Sequence, residues 1–168
     1  MCCVASETFS SVAAPVQYAA IAAYRGGPAI EGYLRNCRAI LSAIGQWCWR
    51  ELNAAGVPTA APVGGFYLFP DFSNTIAGSR SATSSAFAQQ LLLESGVAVL
   101  PGSDFGRPPE ELTCRMAYVN FDGAAALLAV DGMKEVPGDE FVAAHCASVV
   151  RGTQAVGAWV GESALAKR

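Results

Sequence analysis

The stretch from Ala29 to Ala55 constrains this chain more than any other. Ile30, Tyr33, Leu34, Cys37, Ile40, Leu41, Ile44, Trp47, Cys48 and Leu52 recur there every three or four residues, which is the repeat of one helix face. The positions between them hold Arg35, Asn36, Arg38, Ser42, Gln46, Arg50 and Asn53. The spacing predicts an amphipathic helix roughly 40 Å long at about 1.5 Å per residue. Gly56 and Pro58 stop it. In a chain of 168 residues, so long a helix is expected to bridge two bodies rather than to lie on one core. Upstream, "SSVAAPVQYAAIAAY" reads as a turn and a helix ended by Gly26, Gly27 and Pro28.

Shorter elements follow. "GGFYLFPDF" reads as an aromatic strand closed by Pro70. "NTIAGSRSATSS" is a polar loop, and "AFAQQLLLES" is a helix stopped by Gly96. "VAVL" reads as a short buried strand, "PGSDFGRPPEE" as a loop and "LTCRMAYVNF" as the next strand. Alternation places Cys114, Met116 and Tyr118 on one face of that strand, with Thr113, Arg115, Ala117 and Val119 on the other. "DGAAALLAV" opens a helix capped by Asp122. The segment "DEFVAAHCASVVRGTQAVGAWV" has Val142, Cys146, Val149, Val156 and Val160 near helical spacing, weakened by Gly152, Gly157 and Gly161. The order of elements describes an α/β or α+β layer with few strands.

Composition narrows the function. The chain is 52% hydrophobic and 15% charged, enough apolar content for a packed core. A net charge of −3 gives no electrostatic reason to expect a nucleic-acid partner. No apolar run approaches the roughly 18 residues that cross a bilayer, and the opening "MCCVASETF" has no basic and apolar leader. The expected setting is therefore intracellular, cytoplasmic first, with an organelle open as an alternative. Cys2, Cys3, Cys37, Cys48, Cys114 and Cys146 form no CxxC pair, and His145 is the sole histidine. That set does not build a zinc site, so no metal is expected and the cysteines are read as reduced, mostly buried thiols.

Arg115 is the sharpest candidate for chemistry. A guanidinium stays charged and carries five donors, so a site drawn out of water must offer it an anion. Carboxylates suit it, because the fork accepts them in two parallel hydrogen bonds. From the strand alone, two readings stand: an internal partner such as Glu110, Glu111 or Asp122, or a ligand carboxylate. The loop from Pro101 to Gly106 has two glycines but lacks the strand and helix context of a phosphate cradle, so it is read as a tight turn. His145 is read as a surface or packing residue, and Lys134 and Lys167 as solvated charges.

"APVGGFYLFPDF", "GVAVLPGSDFG" and "LTCRMAYVNFDGAAAL", in that order and separated by a helix, resemble the C-terminal part of class I/II aminotransferases, pyridoxal-phosphate enzymes of fold type I. "SETFSSVAAPVQYAA" is similar to the family's stretch after the cofactor-lysine loop, and the helix from Ala29 to the family's long interdomain helix. The resemblance implies a remnant of the large cofactor-binding domain over residues 1–28, a connecting helix over 29–56 and a small C-terminal domain over 57–168. It implies that Arg115 holds the α-carboxylate of the substrate and that Phe66 lines the substrate side of the cofactor. It also implies that Ser10 and Ser11 reach the cofactor phosphate of a neighbouring subunit, more weakly. The implied substrates are an amino acid and a 2-oxo acid, exchanging an amino group in a homodimer.

The family's Schiff-base lysine lies upstream of "SETF" in a Ser-x-x-Lys stretch, where this sequence has only "MCCVA". The asparagine, aspartate and phosphate-gripping arginine of the family's cofactor site would also lie before Met1. The resemblance thus implies a chain without the catalytic lysine, inactive alone and binding no cofactor stably by itself. Two alternatives remain open: a non-catalytic remnant that associates with a full-length homologue through exposed helix faces, and a related pyridoxal-phosphate lyase or cofactor-sensing regulator.

Overall fold

The computed structural model describes residues 12–75, 81–133 and 135–165, with side chains through Gly161. The chain forms two compact units, Met1–Cys37 and Arg38–Arg168.

In the first unit, helix α1 spans Ala14–Arg25, with a proline in its first turn and Gly26 as C-cap. Proline fits there because the first N–H groups of a helix lack intrahelical partners. Gly26 and Gly27 take φ values of 68° and 120°, a reversal that only glycine makes without strain. None of the helix's residues is buried, and Val16, Tyr18, Ile21 and Tyr24 are exposed.

Helix α2 spans Pro28–Ala54 and runs from the first unit into the second. The predicted stripe is buried over its C-terminal half, at Ile40, Ile44, Trp47, Cys48 and Leu52. Its end has a specific lock. The amide of Gly56, at φ 80°, donates to the carbonyl of Asn53, and the amide of Val57 donates to that of Leu52. This reciprocal pair satisfies carbonyls that the helix leaves open, and the buried Leu52 and Val57 supply the hydrophobic contact that accompanies it. Gly56 thus ends the helix for the reason read from the sequence.

The second unit contains a three-stranded antiparallel sheet in the order β1-β3-β2, with β1 Tyr67–Leu68, β2 Leu100–Pro101 and β3 Cys114–Ala117. Tyr67 pairs with Ala117, Leu68 with Met116, Leu100 with Arg115 and Pro101 with Cys114. An isolated bridge between Asp71 and Thr113 extends the β1 side. One sheet face supplies the core residues Leu68, Cys114 and Met116, and Tyr118 just beyond β3 is buried as well. The other carries Tyr67, Leu100, Arg115 and Ala117. The expected strand "VAVL" is corrected: only Leu100 joins the ladder, and it is exposed. Its β3 partner is short, and among the described residues no other strand pairs with those before Leu100.

Helix α3, Ser84–Ser95, opens on Thr83, whose hydroxyl accepts from the amide of Ala86, and closes on Gly96 in the left-handed conformation. A 3-10 turn, Gly102–Phe105, follows β2. Helix α4, Gly123–Val130, is capped as read, by Asp122, whose carboxylate accepts from the amides of Ala124 and Ala125. The single terminal helix expected from the spacing is two helices, α5 Asp139–His145 and α6 Ala147–Leu165, separated at Cys146. Phe72, Phe87 and Trp159 stack in series through the core, with ring centres 4.7 and 5.6 Å apart.

Candidate functional site

Strand β3 carries Arg115 out of the core on the face opposite Cys114 and Met116, as alternation requires. Its side chain is half-buried. The internal acids offered by the sequence are engaged elsewhere or make no contact with it. Glu111 is paired to Arg107 at 2.6 Å, and Asp122 caps α4. Among the described residues, the Arg115 side chain has no hydrogen bond and no carboxylate partner. It has two aromatic rings instead. The guanidinium carbon lies 4.3 Å from the centre of the Tyr67 ring and 4.5 Å from that of Phe105. Tyr67 arrives on β1 and Phe105 just after β2, the strands that flank β3 on either side.

Each ring is itself braced. Phe66 lies 4.3 Å from Tyr67, and Phe69 meets Phe105 edge-on at 5.9 Å. A shallow hollow of about 160 Å³ opens beside the arginine, walled by Ala98, Val99, Leu100 and Ala117. Among the described residues that line it, Arg115 alone is charged.

The turn bearing Phe105 is fastened to the strand bearing Arg115. The amide of Gly102 donates to the carbonyl of Thr113 at 2.7 Å. A Cβ on Gly102 would collide with the Thr113 hydroxyl and lie 2.9 Å from its carbonyl oxygen. Only glycine allows this approach. Gly106, at φ 79°, closes the turn by donating to the carbonyl of Ser103. The loop that the sequence offered as a tight turn is one, and its role is to place a ring.

The other candidates stand apart. Phe66 is partly exposed and touches Tyr67 rather than the guanidinium. Ser10, Ser11, Lys134 and Lys167 lie outside the described residues. His145 packs on Phe141 at 4.7 Å and lines a separate hollow with Asp139, Glu140 and Val136. Cys48, Cys114 and Cys146 are buried free thiols, and Cys37 is half-buried and free. Burial pushes the Cys114 thiol up to about 12 and those of Cys48 and Cys146 up to about 11, which suits packing rather than nucleophilic work. No group of metal-binding side chains occurs among the described residues. Among the same residues, no helix is long and apolar enough to cross a membrane.

A family model described as aminotransferase class I and II matches residues 4–122. The chain belongs to that family. It is 36% identical over 115 residues to an aspartate aminotransferase of Bacillus sp. (strain YM-2), covering 68% of this chain and 28% of that protein. It is 32% identical over 127 residues to an aspartate/prephenate aminotransferase of Cereibacter sphaeroides, covering 70% of this chain and 29% of that one. Among solved structures, an aromatic aminotransferase from Pyrococcus horikoshii OT3 superposes with a TM-score of 0.57 at 25% identity, over 89% of this chain and 32% of the other. An aspartate aminotransferase from Thermotoga maritima shares the fold at a TM-score of 0.53. The chain spans less than a third of the length of each of these relatives. Family members are pyridoxal-phosphate-dependent transferases of fold type I, and the small sheet with its helices is part of that fold.

Proposed function

We propose that this chain is the C-terminal portion of a pyridoxal-phosphate-dependent aminotransferase, and that Arg115 grips the α-carboxylate of the amino acid or 2-oxo acid undergoing exchange. The reading rests on one observation: a half-buried arginine whose guanidinium carbon lies over two rings, with no acid among the described residues to neutralise it. A permanent cation partly drawn out of water calls for an anion. The donor and acceptor of an amino-group exchange share an α-carboxylate, so one grip serves both halves of the cycle. Two parallel charge-assisted hydrogen bonds would fix the carboxylate and orient the adjoining Cα.

Pyridoxal phosphate, when bound, supplies the electron sink for chemistry at Cα. The residues around Arg115 offer it no lysine, and Lys134 and Lys167 lie outside the described residues. In a complete enzyme, cofactor binding would fall to residues beyond this set, while Arg115 and its surroundings hold substrate.

The reading is tested in a complete chain that carries this segment. Arg115→Ala is expected to lower kcat/KM for the amino acid about 100-fold or more, the scale of losing a bidentate charged contact. Cofactor binding, followed by visible absorption, is expected to stay intact. Equal loss of both would assign Arg115 a structural role instead.

A further inference from the structure

Within the carboxylate reading of Arg115, on which this step rests, we infer that Phe105 and Tyr67 are positioning residues that set the plane of the guanidinium and leave its nitrogen edge as the face open to a ligand.

The two rings approach the same carbon, at 4.3 and 4.5 Å, from the two sides of the central strand. A cation is drawn to an aromatic face by the ring's quadrupole. A guanidinium can stack flat on such a face, whereas an ammonium cannot. A ring over a guanidinium face keeps water off it and directs ligands to the rim, where the N–H groups form the fork that matches a carboxylate. The outer rings Phe66 and Phe69 back the inner pair, so five side chains form one buttressed series with Arg115 at its centre. The Gly102–Thr113 hydrogen bond ties the turn to β3 two residues before Arg115. The long arginine side chain therefore begins with much of its rotamer freedom already spent, which lowers the entropy lost on binding.

The test uses the 168-residue chain and pyruvate as the carboxylate probe, with sodium chloride at equal ionic strength as control. The Nε–Hε resonance of Arg115 is followed by NMR. In the wild type, this proton is expected upfield, because it sits over aromatic rings, and to move saturably with pyruvate. Phe105→Leu is expected to relax the resonance downfield and to weaken pyruvate at least fivefold. Phe105→Tyr, which keeps a ring, is expected to retain affinity within about twofold. Tyr67→Phe should behave like Phe105→Tyr, and Tyr67→Leu like Phe105→Leu. Since both positions are partly exposed, the fold is expected to tolerate these changes, with the remaining amide spectrum as the check.

The inference is overturned if Phe105→Leu and Tyr67→Leu bind pyruvate like the wild type, or if Phe105→Tyr loses as much as Phe105→Leu. Absence of saturable pyruvate binding in the wild type, with the upfield resonance present, overturns the carboxylate reading itself and removes the rings' role with it.

Discussion

Tyr118 sets its hydroxyl where a side chain on Gly45 would begin. A Cβ there would stand 2.8 Å from the phenolic oxygen, 3.0 Å from its ring carbon and 3.2 Å from Pro62. The tyrosine is buried and donates to the carbonyl of Gly65 at 3.2 Å. It therefore pins helix α2 to the strand end and to the loop that leads into β1. Gly45→Ala should force this contact apart and lower stability by about 1–3 kcal/mol, as overpacking of a filled core does. Urea unfolding followed by tryptophan fluorescence measures it. An unchanged midpoint would show that the tyrosine moves aside freely.

Thr113 presents the opposite case. Its hydroxyl is buried without a hydrogen-bond partner, which leaves it desolvated at a cost. Thr113→Val swaps that oxygen for a methyl group of similar size and keeps the main-chain bond to Gly102. The expected result is stability equal to the wild type or up to about 1 kcal/mol higher. A loss of more than about 1 kcal/mol in the same unfolding assay would mean that the hydroxyl is satisfied in solution.

Alkaline pH should unfold the protein through its buried thiols. Desolvation raises Cys48 and Cys146 to about 11 and Cys114 to about 12, against about 8.5 in an unfolded chain. The folded state thus holds these protons more tightly than the unfolded state. Their contribution to stability is complete below the unfolded value and is lost as pH rises towards the folded values. The urea midpoint should fall steadily from about pH 9 to pH 11. Cys114→Ala should be less steep over that range. A wild-type midpoint that stays flat there would place the thiols in contact with water.

Much of this architecture is legible in the sequence. The period of α2 identified its buried stripe, and Gly56 its end, because both depend on local chemistry. The alternation of β3 separated Cys114, Met116 and Tyr118 from Arg115, and the first three are the buried ones. The length of β2 was not readable, since a strand ends where its partner does, and the partner is remote in sequence. The break at Cys146 was hidden because the apolar spacing runs on through it.

The surroundings of Arg115 were only half legible. The sequence named no neighbour for the guanidinium, and Tyr67 is one that reaches it. Strand register decides this: Tyr67 pairs with Ala117, which shares the Arg115 face. The aromatic run did not show that a ring meets Arg115; the strand pairing decides it. Phe105 lies in a 3-10 turn, where no periodicity signals direction. Its placement depends on the close approach of Gly102 to Thr113, a contact visible only in three dimensions.

The central claim is that Arg115 is kept free of internal acids in order to meet a ligand's carboxylate. Titration calorimetry of pyruvate into the wild-type chain and into Arg115→Gln, at matched ionic strength, tests it most directly. Glutamine removes the charge and the fork at a half-buried position, and circular dichroism confirms that the fold persists. Saturable binding by the wild type, weakened at least tenfold in Arg115→Gln, is the predicted result. Equal binding by the two proteins would contradict the account.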